Sequence, residues 1–240
     1  MQIIPIKTTI FRAHGDLLEF IFKYIKKLPE KSVLVVTSKI VALSEGRTAE
    51  PAGEKGKIKL IKRESSFALK TKHTWLTIKD GMVMASAGID ESNADGKIIL
   101  LPRDSFKSAE TIRRALCKKF SIKNLGVLIT DSRLFPLRAG VVGVALGYAG
   151  FNGLRNYIGQ KDIFGRKLKM SKTDIADSLA TGAVLCMGEG EEKQPLAVIK
   201  DAPVVFTKKI NRNELIIDPT KDIYAPLFAD LNKNKKNVKR

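Results

Sequence analysis

Three acidic positions stand out because each follows an apolar stretch at a turn-like segment. They are Asp90 in Ala87-Gly88-Ile89-Asp90-Glu91-Ser92-Asn93, Asp131 in Ile129-Thr130-Asp131-Ser132, and Glu189 in Met187-Gly188-Glu189-Gly190-Glu191. Carboxylates at the ends of strands and helices can point into a shared cleft, where they repel one another unless a cation neutralises them. Oxygen donors without histidine or cysteine beside them favour Mg²⁺ or Mn²⁺ over zinc. A single Asp in such a turn is more often a local cap or Asx-turn acceptor, so spacing alone does not bring the three together. No glycine-rich run ends in Gly-Lys-Ser/Thr, and no GxGxxG opens a helix after a strand. The two common phosphate cradles are therefore absent from the sequence. Ser38-Lys39, directly after an apolar run, offers a hydroxyl and a point charge to a phosphate. On spacing alone an exposed surface lysine is the better reading of Lys39. His14 and His73 have no evident partners and read as surface or packing residues.

The elements that must position these residues follow from periodicity. Residues 16–27 carry Leu17, Leu18, Ile21, Tyr24 and Ile25 at helical spacing, with Asp16 as N-cap and Pro29 as the stop. Ser32–Thr37 is a β-rich run that predicts a buried strand. Residues 48–60 are polar and hold Pro51, Gly53 and Gly56, which predicts an exposed loop. Strand-like runs at 75–78 and 82–85 flank Asp80-Gly81, a strong hairpin signal. A second helix is expected at 105–119, and a second buried strand at 125–130 that leads into Asp131-Ser132 and a turn at Pro136. Residues 141–149 are apolar and small, and the glycines at 140, 143, 147 and 150 imply close backbone packing. A helix over 173–187 puts Ile175, Leu179, Ala183 and Cys186 on one face and ends at Gly188. Apolar runs at 196–199 and 204–206 complete an α+β pattern of mixed sheets with packed helices.

The bulk properties narrow the function classes. A chain of 240 residues, 44% hydrophobic and 28% charged, has the composition of a globular protein that needs no staples. No apolar run approaches the roughly 20 residues that span a bilayer. The N-terminus lacks the basic-then-apolar pattern of a signal peptide, and a cytoplasmic protein without a membrane partner is expected. Cys117 and Cys186 read as reduced core residues. The net charge of +18 invites a nucleic-acid reading. The lysines are scattered, however, and no zinc-finger or aromatic-rich RNA motif accompanies them, so nucleic acid is not the expected main partner. One unit over 1–230 is expected, with room for two intertwined subdomains. A basic tail at 231–240 reads as disordered.

Several ordered motifs together resemble one family. Ala87 through Asn93 is similar to the AGIDxSN motif of the coenzyme F420-0:L-glutamate ligase family, and Leu100-Leu101-Pro102-Arg103-Asp104 to the segment that follows it there. Thr130-Asp131-Ser132 resembles its TDT motif, and the run from Arg138 to Gly147 its RxGxxGxAxG. The run from Gly159 to Leu168 resembles GxxDxxGRxL, and Ile175-Ala176-Asp177-Ser178-Leu179-Ala180 and Met187-Gly188-Glu189 complete the series. The likeness covers about residues 32–200.

The resemblance implies a metal- and nucleotide-dependent ligase that joins L-glutamate to a carboxylate through an acyl phosphate, working as an intertwined homodimer. It implies Mg²⁺ or Mn²⁺ held by Asp90, Asp131, Ser132 and Glu189, with Asp90, Asp131 and Glu189 as the catalytic set. It implies GTP, or ATP, as co-substrate, contacted by residues near Ser38, by Asn93, and by the segment 187–194 that contains Met187, Gly188, Glu189 and Gly190. Lys39, Arg133 and Arg138 are further candidates for holding phosphate or a substrate carboxylate. The chain departs from the family pattern in places. Where the family reads x-Gly-Arg-Pro after TDT, Arg133-Leu134-Phe135-Pro136 stands here; Leu43 replaces a common lysine and Ser86 an asparagine. Losing that arginine tilts the expected heterocyclic carboxylate acceptor from F420-0, which carries a phosphodiester, toward a folate-type pterin. Two other classes compete: a nucleotide-binding regulator without turnover, and a basic nucleic-acid-binding protein.

Overall fold

The structure, a computed structural model, describes residues 1–209 and 211–228; the basic tail expected at 231–240 lies outside them. In chain order the elements are β1 (Gln2–Ile6), α1 (Leu17–Tyr24), β2 (Ser32–Thr37), α2 (Ser38–Ser44), β3 (Thr48–Ala49), α3 (Gly53–Glu64), β4 (Phe67–Lys70), β5 (Trp75–Lys79), β6 (Met82–Ala85), β7 (Ile98–Ile99), α4 (Ser105–Phe120), β8 (Leu125–Leu134), β9 (Val141–Ala149), β10 (Leu154–Asn156), β11 (Lys172–Asp174), α5 (Ile175–Met187) and β12 (Leu196–Lys200). A central sheet runs β1-β12-β2-β8-β9, with β2 and β8 parallel and the other neighbours antiparallel. A three-stranded meander, β4-β5-β6, and two short ribbons, β3-β7 and β10-β11, complete the sheets. The fold is α+β with mixed sheets.

Helices cover both faces of the central sheet, which is why β2 and β8 are apolar runs and not alternating ones. On one face Leu34, Val36, Val127 and Ile129 pack with Ile21 next to Ile25 of α1, Ile40 and Val41 of α2, and Ile112 and Leu116 of α4. On the other, Val33, Val35, Leu128 and Ile199 pack with Ile175, Leu179, Ala183 and Met187 of α5. The small residues of β9 let α5 approach: a Cβ at Gly143 would lie 2.3 Å from the carbonyl oxygen of Ala180.

Most predicted elements form, with informative exceptions. Asp16 does cap α1, accepting from the backbone N–H of Glu19, but the helix stops at Tyr24. Asp80 and Gly81 both take positive φ, 51° and 78°, as a two-residue β5-β6 turn with the twist of its strands requires. Residues 48–60 are not a loop: β3 pairs with β7, and α3 buries Leu60 and Ile61. Lysine and glutamate are good helix formers, and that outweighs Gly56. No strand forms at 204–206; only Phe206 bridges to Phe151. Neither cysteine is a core residue: Cys117 is half-buried and Cys186 exposed, because the inward face of α5 passes through Met187 instead.

Candidate functional site

The parallel pair sets the position of the site. Thr37 at the end of β2 lies opposite Thr130 of β8, so the next residues, Ser38 and Asp131, are neighbours. Clefts beyond the carboxyl ends of parallel strands are a recurrent place for ligands in open sheets. Ser38 Oγ donates to Asp131 Oδ1 at 3.2 Å.

Asp131 and Ser132 are not in a turn, as the sequence had predicted. β8 continues to Leu134, paired with β9 from Val144 back to Val141. The register shifts between Ile129 and Thr130, whose partners are Gly147 and Ala145, so Leu146 is an extra residue in β9 that lets both strands run on. Side chains alternate along a strand. Ile129, Asp131 and Arg133 therefore share the face toward α2, while Thr130 and Ser132 share the α5 face.

Arg133 Nη1 lies 3.2 Å from Asp131 Oδ2, and the arginine side chain is only 6% exposed against 25% for the aspartate. The other two guanidinium nitrogens, Nε and Nη2, are buried without a hydrogen-bond partner among the described residues, as is Thr130 Oγ1. Burial pushes the Asp131 carboxyl above the usual aspartate range; Arg133, Ser132 and Ser38 oppose the rise, and the nearby Asp90 charge adds to it.

Asp90 reaches the same place from a strained approach. A short 3-10 turn, Ser86–Gly88, places Ser86, Ala87 and Gly88 at successive positive φ values of 48°, 58° and 69°. Buried Thr77 holds it, its hydroxyl donating to the carbonyl of Met84 and accepting from the N–H of Ala87. Asp90 then exchanges backbone hydrogen bonds with Ile99 at 2.9 and 2.8 Å. Its Oδ1 accepts from the N–H of Ser92 at 2.7 Å, and its Oδ2 pairs with Lys39 Nζ at 2.7 Å. Lys39 also donates to the carbonyl and hydroxyl of Ser92. Burial alone would raise the Asp90 carboxyl, but Lys39 and Ser92 outweigh it and hold it below the ordinary value. The Asx-turn role and the long-range contact therefore coexist at one residue.

The third segment arrives from α5. Its C-cap, Gly188, has φ of 82°, and a Cβ there would strike the carboxylate of Glu192 at 2.3 Å. Glu192 folds back to accept from the N–H of Gly190 at 2.8 Å. Glu189 Oε1 accepts from Ser132 Oγ at 2.5 Å, and Asn93 Nδ2 donates to the carbonyl of Gly190 at 3.4 Å. Thr8, whose N–H donates to the carbonyl of Lys193 at 2.8 Å, ties the N-terminal segment to the same loop.

Ser38, Lys39, Asp90, Asn93, Asp131, Ser132, Glu189 and Gly190 thus form one connected cluster. Met187 and Arg138 stand apart from it. The Met187 side chain is in the core, which leaves only its backbone for a ligand, and Arg138 is exposed in the β8–β9 loop without an ion pair among the described residues. Among the described residues no three His, Cys, Asp or Glu side chains converge closely enough to hold one ion. The donors are nevertheless all oxygen, and Asp90 and Asp131 are near enough to influence each other, so the cluster suits a hard divalent cation. Sequence reading missed the Lys39–Asp90 pair and the burial of Arg133. The two-residue spacing of Asp131 and Arg133 was the signal for the latter.

A family model described as F420-0:Gamma-glutamyl ligase matches residues 5–201. The Coenzyme F420:L-glutamate ligase of Methanococcus maripaludis strain C7 is 34% identical over 244 aligned residues, covering 93% of this chain and 97% of the relative. Those of Methanocaldococcus jannaschii and Methanopyrus kandleri are each 32% identical, covering 93% and 92% of this chain and 96% and 95% of the relatives. The match spans β1 to β12 and so contains every segment of the cluster: the chain belongs to the F420-0:gamma-glutamyl ligase family.

Proposed function

We propose that this chain joins L-glutamate to the carboxylate of F420-0, using GTP or ATP and a divalent cation. The observation that carries the reading is that Asp90 and Asp131, from separate segments, come near enough to influence each other at the carboxyl end of the parallel β2-β8 pair, with Glu189 held to the neighbouring Ser132. The family description supplies F420-0 and the names of the relatives supply L-glutamate.

A carboxylate does not condense with an amine in water unaided. In the proposed reaction an acceptor carboxylate oxygen attacks the γ-phosphorus of the nucleotide. The bond to the nucleoside diphosphate breaks, leaving an acyl phosphate. The glutamate nitrogen then attacks the acyl carbon, phosphate leaves, and the amine loses a proton. Such transfers depend on positioning and charge neutralisation. Asp131 on one face of β8 with Asp90 near it, and Ser132 on the other face with Glu189 bonded to it, would hold Mg²⁺ or Mn²⁺. The bound cation would supply neutralising charge to phosphate oxygens. Lys39, 27% exposed and on a flexible stem, can leave Asp90 and meet a phosphate as a point charge. Asn93 and the backbone of the 188–190 loop supply polar groups to the nucleotide.

A folate-type pterin is the second acceptor reading. Phe135 and Leu137, 50% and 104% exposed, stand beside the altered segment after Ser132, and they favour a flat ring over an anionic group. Exposed Leu134, Phe135, Leu137, Ile163, Phe164 and Leu185 also support a homodimer, which sedimentation would register as twice the chain mass.

The test is a mass measurement. Purified protein with Mn²⁺, GTP or ATP and L-glutamate is incubated separately with F420-0, dihydropteroate and tetrahydrofolate. One added glutamyl unit on F420-0, lost in Asp90→Ala and Asp131→Ala, is the expected result. Addition to a pterin alone would replace the acceptor, and addition to none would leave a nucleotide-binding regulator as the better reading.

A further inference from the structure

Asp90 and Asp131 each already carry a cation of the chain's own, and the two cations differ in what they can do. Lys39 on Asp90 is partly exposed and can withdraw into solvent; Arg133 on Asp131 is 6% exposed and is fixed by the strand that also carries Asp131. Both oxygens of Asp131 are engaged, Oδ1 by Ser38 and Oδ2 by Arg133. The guanidinium has no second acceptor for Nε or Nη2; among the described residues Asp131 is the one carboxylate in ion-pair contact with it, while Asp177 and Asp80 act on it from farther away. A buried charge does not readily give up the one carboxylate it touches.

We propose that Arg133 is a fixed counter-ion to Asp131 that competes with a divalent cation for the carboxylate and so weakens metal binding at this site. The inference rests on the reading above that Asp131 is a metal ligand. A cation at Asp131 sits beside a positive charge that cannot move out of the way, and like charges at such a distance in a partly buried site interact strongly. Arg133 is thus a positioning residue acting through Asp131. It sets how much metal or nucleotide is needed before the cluster is occupied, because nucleotide phosphates supply the compensating negative charge.

The experiment titrates Mn²⁺ into the full chain, alone and with a non-hydrolysable GTP analogue, and follows free Mn²⁺ by electron paramagnetic resonance. Arg133→Met should bind Mn²⁺ at least about tenfold more tightly than the parent chain when nucleotide is absent, the scale expected for removing one like charge nearby. The gain should shrink when nucleotide is present. Asp131→Asn should abolish it. Structural damage loosens a site, so only removal of a competing cation accounts for tightening. Arg133→Gln, which keeps a polar end, gives the same readout should the methionine variant fail to fold. Unchanged or weaker binding in the folded arginine variants, with binding still lost in Asp131→Asn, would overturn this inference and leave the metal site standing. Mn²⁺ binding indifferent to Asp131→Asn would remove both.

Discussion

At Ser132 a hydroxyl stands where the family pattern has a threonine, and one contact in the structure depends on it. Its Oγ donates to Glu189, linking the end of β8 to the loop after α5. Ser132→Thr should retain turnover, since the donor survives and the added methyl suits a strand. Ser132→Ala should lower metal affinity or turnover about 10- to 100-fold, the range for removing a group that orients a metal ligand; steady-state kinetics across a Mn²⁺ series would separate the two. The acidic positions were legible because carboxylates after apolar runs are conspicuous. Their partners were not. Lys39 reads as a surface lysine until the loop carrying Asp90 is laid over α2, a contact 51 residues away in sequence (90 minus 39). Arg133 reads as a candidate phosphate or carboxylate ligand until β8 is seen to continue past Thr130 and to bury it beside Asp131. The Lys39–Asp90 pairing is made by tertiary structure, and no local pattern announces it; Arg133 was legible only once Asp131 was known to lie on a strand.

At the scale of elements, α5 shows how much a helix terminus can add. Asp174 caps it, accepting from the N–H of Asp177 at 2.9 Å, and Asp177 in turn accepts from the N–H of Ala145 in β9 at 2.8 Å. Burial, aided by the Asp177 carboxylate, raises Asp174 to about 6. An acid raised in the folded state binds its proton more tightly there than in the unfolded chain, so its contribution is fully present below about pH 4, declines toward pH 6, and is level above. Urea midpoints should therefore fall across that window, and Asp174→Asn, which keeps a capping acceptor, should flatten the slope. Farther along the helix, Leu179 is 3% exposed against the sheet, and Leu179→Ala should cost about 2–5 kcal/mol in the same assay. Periodicity found α1, α4, α5, β2 and the β5-β6 hairpin. It failed at α3, where a lysine-rich helix with little apolar surface resembles a loop, and at β8, where polar residues on a strand resemble its end.

The whole molecule carries a net charge of +18, and its distribution bears on what the chain binds besides its substrates. Truncation before Asn232 removes Lys233, Lys235, Lys236, Lys239 and Arg240. The shortened chain should keep its melting temperature and its turnover, because the removed residues lie beyond the family match at 5–201. Any binding to arbitrary RNA should weaken and lose part of its salt dependence. A loss of turnover on truncation would assign the tail a catalytic role. The strand β8 has a different kind of consequence. Its odd positions give Asp131 and Arg133 to one face of the sheet, and its even positions give Ser132 to the other, where Glu189 waits. A change in length here therefore disturbs every side chain of the strand at once, where a substitution disturbs one. Deleting one residue between Gly126 and Thr130 would exchange the two faces, send Asp131 toward α5 and Ser132 toward α2, and dismantle both halves together. Insertions that lengthen the lineage's turn at 135–140 leave that parity untouched, so such a lineage is free to change what surrounds its acceptor while the cluster itself stays in phase.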